Sequence, residues 1–115
     1  MAIRIKRVYE PPSPDDGARI LVDRVWPRGM TKDAAHIAAW YKDVAPSTTL
    51  RKWFGHDPAR WDEFQRRYEA ELDGNPRVAE LAARAGTEDL TLVYGARDTE
   101  HNQAVVLRDV LQRAL

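Results

Sequence analysis

The chain has 115 residues, 18 Lys plus Arg against 18 Asp plus Glu, and no cysteine. That length suits one domain with a single core, read as residues 1–115. A zero net charge gives no global field for nucleic acid or anionic lipid, and the missing cysteines exclude disulfides, thiolate metal sites and thiol nucleophiles. No apolar run reaches spanning length, and Met1 to Arg7 lack the apolar core of a signal peptide, so the expected location is the cytoplasm without membrane contact.

Ile3, Ile5 and Val8 alternate with Arg4, Lys6 and Arg7, the period of a half-buried strand. Three prolines between Glu10 and Gly17 then predict a surface loop, because they remove backbone donors and fix φ. Arg19 to Val25 is the second strand. Its unbroken Ile20-Leu21-Val22 centre fits a parallel sheet buried on both faces. Thr31 is placed to cap a short helix from Lys32 to about Ile37, and Ala38 to Val44 reads as a short third strand in preference to helix.

Ser47 or Thr48 starts a helical turn that stops at Gly55, and Asp57-Pro58 starts a longer helix to about Leu72. In that helix Trp61, Phe64, Tyr68 and Leu72 share one face. Pro76 to Ala85 is the next helix, ended by Gly86, and Leu90 to Tyr94 is a central strand. Asp98 or Thr99 is expected to cap the final helix, whose inward stripe is Ala104, Leu107, Val110, Leu111 and Ala114. The order predicts an α/β fold: a single small three-layer domain, with a mostly parallel sheet of about four strands and helices on both faces.

Polar clusters follow three of these stops, and in open α/β sheets such loops carry ligands. The first is Asp23, Arg24, Trp26 and Arg28. The second is Arg51, Lys52, Trp53, His56 and Arg60, which could roof the first as a lid. The third is Arg97, Asp98, His101 and Asn102. Arginine suits phosphate or carboxylate because its planar fork makes paired, charge-assisted hydrogen bonds. Arg24, Arg28 and Arg97 are therefore the candidate anion holders, with Asn102 at the start of the last helix and Trp26 as a stacking surface. Asp23, Asp98, His56 and His101 are the candidate acids and bases.

Each has a plainer alternative. Arg24 and Arg28 could pair with Asp23, Asp43 or Asp57; Asp98 could simply cap the helix; Trp26 could lie over the core beside Pro27. The three histidines lack metal-ligand spacing, and neither a serine elbow, a P-loop nor a dinucleotide fingerprint occurs, so neither metal nor cofactor is expected.

The stretches Asp23-Arg24-Val25-Trp26-Pro27-Arg28-Gly29, Trp40-Tyr41-Lys42, Leu50-Arg51-Lys52-Trp53-Phe54-Gly55-His56-Asp57-Pro58 and His101-Asn102-Gln103-Ala104 together resemble the YeaO-like family of small bacterial proteins, a domain of unknown function (488). The resemblance covers almost the whole chain and implies that the clustered residues are signature positions, without supplying a catalytic role for any. From the residues, the first expectation is a small enzyme, hydrolytic for want of a cofactor, acting on a phosphorylated or nucleotide-like ligand. The second is a non-catalytic module for a nucleotide or nucleic-acid end, a partner class that zero net charge does not favour. The third is a partner-binding protein with structural arginines, its oligomeric state unspecified.

Overall fold

The sheet has four strands, all parallel: β1 Ile3–Arg7, β2 Ala18–Leu21, β3 Ala39–Trp40 and β4 Leu90–Tyr94, in the spatial order β1-β4-β2-β3. This arrangement comes from a computed structural model, which describes residues 2–115. The helices are α1 Lys32–Ala35, α2 Thr48–Phe54, α3 Trp61–Leu72, α4 Pro76–Ala85 and α5 Gln103–Ala114.

Alternation along the strands divides the core in two. Ile3, Ile20, Val22, Leu90, Leu92 and Tyr94 face a large cluster with Phe54, Phe64, Tyr68, Leu81, Leu107 and Leu111 from α2 to α5. Leu21 and Val93 face the other way, onto Val8, Ala35 and the partly buried Trp26, Met30, Ile37 and Trp40. Helices thus lie on both faces but unequally, since the second face is covered by the single turn of α1 and by loops.

Several boundaries differ from the sequence reading for physical reasons. The second strand stops at Leu21, although Val22 still donates to Val93 O at 3.1 Å; beyond it the chain bends away so that Asp23 can bridge to the neighbouring strand's exit. The first helix ends at Ala35, with His36 left-handed as its cap. The helix expected from Pro58 opens as a 3-10 turn over Pro58–Arg60, with Asp57 accepting from Ala59 N–H, before α3 begins at Trp61.

The last helix is capped by Asn102, not by Asp98 or Thr99. Asn102 Oδ1 accepts from Ala104 N–H at 3.0 Å and Val105 N–H at 3.2 Å, while its Nδ2 donates to Asp98 O at 2.9 Å.

The proline-rich loop is only partly superficial. Ser13 and Asp16 close a capping box around a 3-10 turn, and this swings Asp16 inward until it is 5% exposed. There its carboxylate meets Arg19 Nη1 at 2.8 Å and Lys6 Nζ at 3.2 Å. Arg19, 2% exposed, also donates to Ala35 O at 2.9 Å. A buried ion pair therefore ties the loop to β1, β2 and α1.

Candidate functional site

Strand order creates the crevice. After β2 the chain moves outward to β3; after β4 it moves the opposite way, into α5, which packs on β1 and β4. Two adjacent parallel strands whose exits diverge leave a gap beyond their carboxyl ends, the usual ligand position in open α/β sheets.

Asp23 bridges that gap. Its Oδ2 accepts from Gly95 N–H at 2.9 Å and its Oδ1 from the Gln103 amide, while Trp40 Nε1 donates to its backbone oxygen at 2.6 Å. Gly95 is required by closeness: a Cβ there would stand 2.9 Å from Asp23 Oδ2. Burial pushes the Asp23 carboxyl up to about 6, because the Gly95 and Gln103 hydrogen bonds and the nearby Arg51 charge only partly compensate for lost water.

Around Asp23 lies a cavity of about 370 Å³, within the range of small-molecule sites. Arg24, Arg28, Arg51 and His56 supply its polar walls with Gln103; Trp26, Pro27, Phe54 and Phe64 supply apolar ones. Phe54 and Phe64 stack at 4.2 Å between centroids, giving a rigid aromatic side. Arg24 is held by Pro46 O at 2.9 Å and Ala45 O at 3.0 Å, both neutral carbonyls. Among the described residues, Arg24, Arg28 and Arg51 form no salt bridge with any carboxylate, so the expected alternative of an arginine–acid network is absent here.

The other sequence candidates divide. Asp23, Arg24, Trp26, Arg28, His56 and Asn102 line the cavity; Arg97, Asp98 and His101 do not. His101 Nδ1 instead meets Asp98 Oδ2 at 2.9 Å, and its ring stands edge-on to Trp61 at 5.3 Å. Backbone N–H groups of Glu100 and His101, with the His101 ring, hold the Asp98 carboxyl below the usual carboxylate range. Asn102 is largely consumed as a cap.

Trp26 combines its two readings: it borders the cavity, yet its Nε1 donates to Met30 O at 2.6 Å and its ring meets Trp40 edge-on at 5.5 Å. Of the proposed lid, Arg51 and His56 reach the cavity, whereas Trp53 packs against the guanidinium groups of Arg67 and Arg60. Gly95 and Gln103 were missed by sequence reasoning. A neutral amide 80 positions from its acid carries no spacing signal, although Gln103 directly follows the His101-Asn102 pair. Among the described residues no group of three His, Asp or Glu could hold a metal ion, and no helix is long and apolar enough to cross a membrane.

His56 has φ +57°, a left-handed conformation that L residues adopt at a cost and glycine does not. His56→Gly is therefore expected to lose no more than ~0.5 kcal/mol of stability, the relieved strain offsetting the added chain entropy. Urea unfolding checks this. A large loss would mean that the imidazole is structural, and a small one that it is kept for what it presents to the cavity.

The pattern described as "Inactive DUF488-N3 subclade" matches residues 2–115. The chain belongs to the DUF488 family. This DUF488 chain is 46% identical over 109 residues to the uncharacterised protein Rv3073c of Mycobacterium tuberculosis, covering 95% of the chain and 92% of the mycobacterial protein. It is 43% identical over 113 residues to the uncharacterised protein YeaO of Escherichia coli, covering 97% and 98% respectively. The YeaO-like resemblance of the sequence motifs thus extends over nearly the whole domain. No solved structure matches the DUF488 chain at a significant level.

Proposed function

We propose that the crevice binds a small phosphorylated anion, nucleotide-like in size, and that the domain serves as a binding module. The observation carrying this reading is the set Arg24, Arg28 and Arg51 around one cavity without carboxylate partners, facing a single partly buried acid. Three permanent charges against one leave a surplus for an anion, and Arg24 is already oriented by its two carbonyl contacts. The description of the matching subclade as inactive favours binding over turnover. The position of the Asp98–His101 pair, which is not among the residues lining the cavity, also supports this reading.

Calorimetry with inorganic pyrophosphate tests the reading. Arg28→Ala and Arg51→Ala are each expected to weaken binding about 10-fold or more, the loss of one charge-assisted contact, while thermal unfolding stays close to wild type because both residues are exposed. Unchanged affinity in both variants would remove the arginines from the site.

A second reading, a hydrolase, is favoured by one feature: Asp23, whose carboxyl is pushed up to about 6 by burial, lines the cavity together with His56, which suits a general base facing a proton donor. Turnover of a phosphate-ester panel by the wild type, lost in Asp23→Asn with binding intact, would select it over the module.

A further inference from the structure

The cavity floor and rim have opposite chemistry. Asp23 is less exposed than Arg28 and Arg51 and so marks the inner side, or floor, of the cavity; each of its oxygens accepts one protein hydrogen bond, so the ionised carboxylate retains about two of its four lone-pair sites. Gln103 spends one of its two amide N–H donors on Asp23, and its other N–H and its carbonyl oxygen have no hydrogen-bond partner among the described residues. Around Asp23 the site therefore offers mainly acceptors, with one free Gln103 N–H beside them. A phosphate is itself an acceptor and an anion, so it is repelled there and belongs with the arginines. The ligand portion reaching the floor must bring N–H donors. The flanking residues constrain its character: Phe54, Phe64, Trp26 and Pro27 make the adjoining walls apolar, which suits a ring with apolar faces.

From this arrangement we infer that the crevice takes a purine nucleoside monophosphate of the guanine type, its two neighbouring N–H donors on Asp23 and its phosphate on Arg28 and Arg51. The inference rests on the anion-binding reading above and adds the base and its orientation. Guanine carries a ring N–H beside an exocyclic amino group, the donor pair that a carboxylate accepts with two parallel hydrogen bonds. Adenine presents an unprotonated ring nitrogen at the same place, and hypoxanthine lacks the amino group. Xanthine puts a carbonyl where guanine has the amine, which an ionised Asp23 repels and an asparagine amide would accept.

Calorimetric titrations above pH 6, where Asp23 carries its charge, would compare the monophosphates of guanosine, inosine, xanthosine and adenosine with guanosine, ribose 5-phosphate and inorganic phosphate. The wild type is expected to bind guanosine monophosphate at least about tenfold tighter than the other three nucleotides, with Asp23→Asn inverting the preference toward xanthosine monophosphate. Equal affinity for all nucleotides and ribose 5-phosphate would overturn the base assignment and leave the anion site standing. A guanosine preference unmoved by Asp23→Asn would also overturn it. Guanosine binding as tightly as its monophosphate would retain the base pocket and overturn the placement of phosphate on the arginines. No binding by any compound, phosphate included, would remove both readings.

Discussion

Asp16→Ala is expected to cost ~3–5 kcal/mol, because it leaves the Arg19 guanidinium buried without its counter-charge. The same change removes the acceptor for Ser13 N–H at 3.1 Å and one contact of Lys6, loosening the loop between β1 and β2. Domains of this size hold roughly 5–15 kcal/mol in total, so the variant should unfold at much lower urea. Replacing both partners, as Asp16→Ala with Arg19→Met, is expected to cost less than the two single changes added together. An additive result would mean that the pair is not coupled. Burial alone would raise the Asp16 carboxyl, but hydrogen bonds from Arg19, Ser13 and Lys6 outweigh it and hold the group below its ordinary value of 3.8. The stability it contributes is full above that value and is lost as pH falls through the lower folded value.

Asp23→Asn should act in the opposite direction. The folded chain holds the Asp23 proton up to about 6, whereas the unfolded chain releases it near 3.8. Between those values the native state binds more protons than the unfolded state, so stability falls as pH rises. At neutral pH the difference corresponds to at most ~3 kcal/mol, reduced by whatever solvent reaches the carboxyl. An asparagine can still accept from Gly95 N–H and pair with a turned Gln103 amide. The variant is therefore expected to be more stable than wild type at pH 7, by ~1–3 kcal/mol, and indistinguishable from it near pH 4. Urea midpoints across pH 4 to 8 measure this. A variant less stable than wild type at pH 7 would show that the ionised carboxylate is a structural bridge. Asp16 and Asp23 thus contribute opposite slopes: stability from Asp16 is lost as pH falls below 3.8, and stability from protonated Asp23 is lost as pH rises from 3.8 to about 6.

Local signals in the chain were enough for most of the scaffold. Asn75-Pro76 and Gly86 delimit α4 as expected, and the runs Ile3 to Arg7 and Leu90 to Tyr94 are strands because their β-forming residues meet no competing local preference. What escaped depends on partners distant in sequence. Asp16 reads as one of several polar loop residues until Arg19, Lys6 and the Thr91 hydroxyl, which donates to its backbone oxygen at 2.7 Å, draw it inward. Asp98 and Asn102 are equally good caps on paper; only the path out of β4 makes Asn102 the cap and leaves Asp98 to bind His101. Of the candidate residues named from the sequence, Asp23, Arg24, Trp26, Arg28 and His56 border one cavity. Its floor was not legible there, because Gly95 and Gln103 acquire their roles only when two strand exits diverge around one acid.

The anion crevice can be tested most directly by following backbone amide resonances of the labelled chain during titration with inorganic phosphate. Binding among Arg24, Arg28 and Arg51 predicts saturable shifts confined to residues 23–28, Arg51 to His56, and Gly95 with Gln103, and their disappearance in an Arg28→Ala, Arg51→Ala double variant that remains folded. Shifts scattered over the exposed arginines of α3 and α4, or no saturation in the wild type, would contradict the crevice as an anion site.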